Sequence, residues 1–176
     1  MYNTKLTKWM TESLSDKPFL SVIVPCYNEE ARLLPTLGAI IGTLCELDIT
    51  WELIVVDDGS SDKTAELVES LPFQNSTLLR QNTNQGKGAA VKAGVRAAQG
   101  DWVLFTDADN STPIEEIAHF LPEMLTGQSD LICGSRSLSS STVEGKSALR
   151  HIATKVLATL VAVSYTHLTL PTTPYV

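Results

Sequence analysis

Apolar residues along the chain come in short unbroken runs, and longer stretches of helical spacing separate them. Phe19–Pro25 (FLSVIVP) is a β-branched run between Pro18 and Tyr27-Asn28, and it predicts a buried strand. Leu33, Leu37, Ile40, Ile41, Leu44 and Leu47 then recur at helical intervals, with Glu29 and Glu30 where a helix N-terminus favours negative charge. Trp51–Val56 (WELIVV) predicts a second strand that ends in Asp57-Asp58-Gly59-Ser60. Ser60, Ser61 or Asp62 is placed to cap the helix that carries Ala65, Val68 and Leu71. Thr77–Arg80 predicts a third strand, and Ala-rich Gly88–Gln99 a helix with Gly100 as its C-cap. Trp102–Thr106 predicts a fourth strand, and Pro113 opens a helix that runs to about Leu125. Asp130–Cys133 reads as a fifth strand, Ser137–Lys146 as a polar loop and Ser147–Val163 as a final helix.

Strands that alternate with helices pair in parallel through right-handed crossovers, so the expected class is α/β: a Rossmann-like, open, mostly parallel sheet with helices on both faces. Ligands in such sheets bind beyond the carboxyl ends of the strands. The chain has 176 residues, 43% of them hydrophobic, which is enough for one domain with a core. The expected division is a polar extension over 1–18, the α/β domain over 19–163, and a tail over 164–176 in which Thr and Pro replace charge.

Charge and cysteine content narrow the function. A net charge of −7 argues against a nucleic-acid partner, because phosphate backbones need clustered Lys and Arg. Cys26, Cys45 and Cys133 are odd in number and form no C-x-x-C pair, so neither a zinc site nor a disulfide framework is expected. Met1–Pro18 lacks the apolar core of a signal peptide, and the expected location is the cytoplasm. Ile152–Val163 is shorter than the roughly 17–25 apolar residues of a membrane span and carries Lys155, so it is read as a packed or interfacial helix.

Three predicted strand ends are rich in carboxylates or their neighbours: Pro25-Cys26-Tyr27-Asn28-Glu29, Asp57-Asp58 and Asp107-Ala108-Asp109. The fold would bring them to one edge, where mutual repulsion favours a divalent cation. Asp107 and Asp109 project to the same side if the strand continues, and hard oxygen ligands suit Mg²⁺ or Mn²⁺ shared with a substrate's phosphates. An Asp57 carboxylate can accept the ring N–H of uracil or guanine, and Tyr27 offers that base a flat face. The plainer readings are a half-buried core tyrosine and a helix-capping role for one of Asp57 and Asp58. Lys87 lies in a Gly-rich turn before a helix, either beside backbone N–H groups that meet an anion or simply in a tight turn.

Taken together, V-P-C-Y-N-E-E, V-V-D-D-G-S-S-D-K-T, N-Q-G-K-G-A-A-V-K-A-G, T-D-A-D-N-S-T-P-I-E-E and G-S-R resemble family 2 glycosyltransferases of the GT-A fold, above all the dolichyl- and polyprenyl-phosphate glucosyl- and mannosyltransferases. The motifs run in the family's order from Leu20 to Arg150. The resemblance implies that Pro25, Tyr27, Glu29 and Asp57, with Asp58, Lys87 and Ala108, serve the nucleotide. It implies that Asp107 and Asp109 bind ribose and metal, Asp109 being the firmer ligand. Arg136 and Arg150 match basic positions that face the donor pyrophosphate or the acceptor phosphate, and the plainer reading of both is surface solvation.

The implied reaction is inverting transfer of a hexose from UDP-glucose or GDP-mannose to a polyprenyl or dolichyl phosphate at a membrane surface. Asp109, Arg136 and Arg150 would stabilise the leaving diphosphate. An ionised lipid phosphate needs no general base, and His119 and His151 read as helix-surface residues. A saccharide hydroxyl acceptor, or a nucleotide-sugar-binding fragment without activity, are the alternatives. The sequence is read as C-terminally truncated, with Ser164–Val176 (SYTHLTLPTTPYV) a non-native or disordered tail.

Other α/β classes fit less well. A receiver domain would carry its Asp pair on the first strand. A dinucleotide-binding domain needs G-x-G-x-x-G there, and a P-loop needs a G-K-[ST] ending that Gly86-Lys87-Gly88-Ala89 lacks. A sugar-nucleotide pyrophosphorylase would favour a basic, Gly-rich first loop.

Overall fold

The computed structural model describes residues 4–71 and 73–134. The chain divides into two units, Met1–Asp130 and Leu131–Val176. Arg136, Arg150, His151, the predicted Ser137–Lys146 loop, the Ser147–Val163 helix and the tail lie outside the described residues.

Four strands form the sheet of the first unit: β1 (Leu20–Cys26), β2 (Trp51–Asp57), β3 (Ser76–Arg80) and β4 (Trp102–Phe105). They lie in the order β3-β2-β1-β4, all parallel, with Ile23 beside Ile54 on one side and Phe105 on the other. β1 is buried along its whole length, as a central strand covered on both faces should be. The predicted fifth strand is not formed. Residues 130–134 adopt no strand, and Leu131 is 79% exposed, so this run has no buried face to drive pairing.

The helices are α1 (Thr4–Thr11), α2 (Leu33–Glu46), α3 (Thr64–Glu69), α4 (Lys87–Ala97) and α5 (Ile117–Thr126). On α2 the apolar period buries Leu33, Leu37, Ile40, Ile41 and Leu44. The Ala-rich α4 packs against β1 and β2, where Ala90 meets Ile23, Ile54 and Val56, and Ala93 and Ala97 fill the margin. Gly100 is not its cap, because α4 ends at Ala98 in an extended conformation. Gly100 instead passes so close to β1 that a Cβ would lie 2.6 Å from the Ser21 nitrogen. Pro113 precedes a short 3₁₀ turn, Ile114–Glu116, from which α5 continues. Among the described residues no helix is long and apolar enough to cross a membrane.

The polar 1–18 segment contains a helix that its composition does not announce. Trp9 of α1 is buried, stacks on Trp51 at 4.2 Å and donates its indole N–H to the Trp51 carbonyl at 3.0 Å. Asn75 ties the end of this helix down, donating to the carbonyls of Trp9 and Glu12 and accepting from the Leu14 N–H.

Chain order along the sheet reverses at β1. β2 and β3 follow outward on one side, while β4 returns to the other. The crevice beyond the carboxyl ends of β1 and β4 is therefore the switch point where ligands of open α/β sheets bind.

Candidate functional site

A cleft of about 340 Å³ lies there, lined among others by Pro25, Tyr27, Glu29, Asp58, Lys87 and Asp107 to Asp109. One wall comes from the loops after β1 and β2, which bond to each other reciprocally. Asn28 takes a left-handed conformation, its N–H donates to Ser60 Oγ at 2.9 Å, and its side-chain oxygen accepts the Ser61 N–H at 2.9 Å. Glu29 N–H donates to the buried Thr64 hydroxyl at 2.8 Å, and that hydroxyl donates onward to Asp62. Asp62 accepts the Glu30 N–H, while the Glu30 carboxylate accepts the Lys63 N–H. Gly59 is fixed in this wall by a positive φ of 73° and by Thr83, whose carbonyl carbon a Cβ would approach to 2.6 Å.

The two neighbouring aspartates part company. Asp57 is 1% exposed and is not among the residues that line the cleft; its carboxylate accepts the Ser60 N–H at 3.1 Å and lies 3.9 Å from the Arg80 guanidinium. Asp58 lines the cleft and accepts the N–H groups of Gln85 and Gly86, both at 2.8 Å. It thereby fixes the Gly-rich turn that opens α4. Adjacent side chains at a strand end face opposite ways, so one residue becomes a turn brace and the other a cleft residue.

The second wall is the Asp107-Ala108-Asp109 turn. The strand does not continue through it: β4 stops at Phe105, and the turn is closed by Asn110 with a φ of 52°. Both aspartates nonetheless line the cleft. Asp107 is paired with the Lys87 ammonium across it. Asp109 accepts the Ser111 N–H at 2.9 Å, and this bond, with the Ser111 hydroxyl and the Arg32 charge, outweighs desolvation and holds its carboxyl below the usual range. Arg32 makes a two-pronged contact with Glu29 at 2.7 and 2.8 Å.

The described acids are thus not an unbalanced cluster. Glu29 has Arg32, Asp107 has Lys87, and Asp58 has two backbone donors, so repulsion alone does not call for a cation. Among the described residues no three His, Cys, Asp or Glu side chains converge as a metal site. Asp107 and Asp109 still present hard oxygens on one side of the cleft, which suits an ion that takes one or two carboxylates and completes its shell from phosphates.

Cys26 sits at the floor, where sequence reading gave it no role. Burial first, then the charges of Asp57 and Glu29, push its thiol up to about 12, so it stays protonated. Its Sγ donates to the Val56 carbonyl at 3.5 Å. Asn84, Gly86 and Ala90 also line the cleft and were not anticipated. His119 is exposed on α5, as expected.

Known proteins fit this picture. A family model described as glycosyl transferase family 2 matches residues 21–169. A dolichyl-phosphate beta-glucosyltransferase of Dictyostelium discoideum is 40% identical over 154 residues, 78% of this chain and 46% of that protein. Another from Trichomonas vaginalis is 35% identical over 160 residues, 85% of this chain and 49% of the relative. The chain spans about half the length of these curated relatives. A mannosyltransferase from Pyrobaculum calidifontis, solved with GDP-Man and Mn²⁺, superposes with a TM-score of 0.51 at 28% identity, over 69% of this chain and 38% of that one. The parallel sheet with flanking helices is that of the GT-A fold. With the family match covering most of its length, the chain belongs to glycosyl transferase family 2.

Proposed function

We propose that this chain carries the donor site of a glycosyltransferase that moves a hexose from a nucleotide-diphosphate sugar to a polyprenyl or dolichyl phosphate, with inversion at the anomeric carbon. The observation that carries the reading is the placement of Tyr27, Glu29, Asp58, Lys87, Asp107 and Asp109 around one cleft at the switch point of the sheet. The names of the matched relatives support the lipid-phosphate acceptor and glucose, and the Pyrobaculum neighbour supports a nucleotide-sugar donor with a divalent ion.

Each residue has a task in this reading. Tyr27, 46% exposed, offers its ring to the base, and Asp58 supplies the acceptor for the base N–H in place of the buried Asp57. Glu29, held in orientation by Arg32, accepts from the ribose hydroxyls. Lys87 exchanges Asp107 for the donor diphosphate, which is a stronger anion. Asp107 and Asp109 would hold a Mg²⁺ or Mn²⁺, which when bound offsets charge on the leaving diphosphate. Arg136 and Arg150 are assigned to the same phosphates or to the acceptor's. An ionised lipid phosphate attacks without a general base, at the cytosolic face of a membrane.

Calorimetric titration of UDP-glucose and of GDP-mannose into the purified chain, with Mn²⁺ and then with chelator, tests the proposal. The expected result is metal-dependent binding of one donor, weakened about a hundredfold or more by Asp109→Ala. Binding of equal strength with chelator, or in Asp109→Ala, would overturn the metal-bridged site.

A further inference from the structure

Among the described residues, a buried hydroxyl of α2 is hydrogen-bonded to the Asp107-Ala108-Asp109 turn. Thr36, 3% exposed, has its Oγ1 2.8 Å from the Ala108 carbonyl oxygen and 3.0 Å from the Arg32 carbonyl of its own helix. A hydroxyl has one proton to donate. The Arg32 carbonyl also accepts the Thr36 backbone N–H at 3.3 Å, and of the two contacts of the hydroxyl the one with Ala108 is the shorter.

The other bonds of the turn run to the exposed Lys87 and to Ser111 next along the chain. The internal backbone bond of the turn, from the Asn110 N–H to the Asp107 carbonyl, is long at 3.4 Å. The strand that leads into it ends in Phe105, 55% exposed. Ala108, by contrast, is 5% exposed and sits between the two carboxylates that line the cleft. The same α2 begins beside Arg32, which holds Glu29 on the opposite wall.

We propose that Thr36 is a positioning residue for the donor site: its hydroxyl holds the Ala108 carbonyl, and so anchors to α2 the backbone that carries Asp107 and Asp109. This inference rests on the donor-site reading above. Thr36→Val keeps the shape and removes the proton, whereas Thr36→Ser keeps the proton and removes a methyl group.

The test uses the full 176-residue chain, with donor and Mn²⁺ titrated calorimetrically and amide hydrogen exchange followed residue by residue. Thr36→Val is expected to weaken donor binding about tenfold, the scale of one buried hydrogen bond. Thr36→Ser is expected to bind as the parent does. Exchange in Thr36→Val should rise at residues 107–111 and stay unchanged in β1 and β2. Unchanged affinity in Thr36→Val, an equal loss in Thr36→Ser, or a rise in exchange across the whole sheet would each overturn the proposal. If the parent chain binds neither donor, the donor-site reading falls, and exchange alone decides whether Thr36 holds the turn. A local rise at 107–111 would then support the anchor, and unchanged exchange would overturn it.

Discussion

The two walls of the cleft are built by different means. The wall after β1 and β2 is stitched by side chains that bond across to the opposite loop, Asn28 to Ser60 and Ser61, Thr64 to Glu29, Asp62 to Glu30. The wall after β4 rests on a four-residue strand with one described neighbour, an exposed ion pair and the Thr36 hydroxyl. The polar groups of the first wall have protein partners before any ligand binds, so this wall is expected to keep its shape on binding. The second is anchored at the Ala108 carbonyl while its side chains have freedom to adjust, because Lys87 and Asp107 are both about half exposed and an exposed pair contributes little to stability. A site of this kind presents a rigid face to one part of the ligand and an adjustable face to the part where charge changes.

Substitutions in the bonded wall should therefore register in stability first. The largest effect is expected for Asp58→Ala, which strands the Gln85 and Gly86 N–H groups that the carboxylate now accepts. Two charge-assisted bonds to partly buried donors are lost, and the chain should be destabilised by about 2–4 kcal/mol, read as a lower denaturant midpoint at unchanged slope. Thr64→Val comes next. Thr64 is fully buried and its hydroxyl both accepts from Glu29 and donates to Asp62, so about 1–2 kcal/mol should be lost. A midpoint equal to the parent's in both variants would mean that the bonds across the first wall do not hold it.

Much of this arrangement was legible in the sequence, and what was not has a common cause. The four strands and the apolar face of α2 follow from period and β-branching. The rule that places ligands at strand ends leads to Tyr27, Glu29, Asp107 and Asp109. What the sequence hides are contacts between distant segments. Nothing local distinguishes Asp57 from Asp58, because which of them faces the cleft depends on where β2 ends. Asp58 finds Gln85 and Gly86, and Thr36 finds Ala108, at separations no spacing rule spans. Trp9 stands in a polar stretch, and its packing on the distant Trp51 and Phe73 makes it a core residue. Gly100 has the position of a helix cap, yet the close passage of β1 is what demands a glycine there. The Asp130–Cys133 run has strand composition but no partner among the described residues.

Acid titration gives the smallest effect and the sharpest test of the contrast. Asp62 and Asp109 stand on opposite walls, and both carboxyls are held below the usual range. For Asp62 a desolvation penalty is outweighed by donors from Thr64 and by the distant Glu30 N–H. For Asp109 the first cause is the Ser111 N–H, two residues away. A lowered folded pKa gives stabilisation that is complete above the unfolded value of about 3.9 and is lost as pH falls through the folded one. Stability in chelator should therefore be flat from neutrality to about pH 4.5 with respect to both groups, and fall below it. The Ser111 bond to Asp109 and the Thr64 bonds to Asp62 both span two residues and are local enough to persist in the unfolded chain, which shrinks the contribution of each to the difference between the two states. The Glu30 bond to Asp62 exists only when the loops are docked. Asp62→Asn should accordingly flatten the acid limb of the denaturant midpoint slightly, through the Glu30 bond, and more than Asp109→Asn, whose long-range support is the charge of the exposed Arg32. Equal flattening by the two substitutions would mean that both walls are held by long-range bonds, and the adjustable character assigned to the Asp107–Asp109 turn would have to be given up.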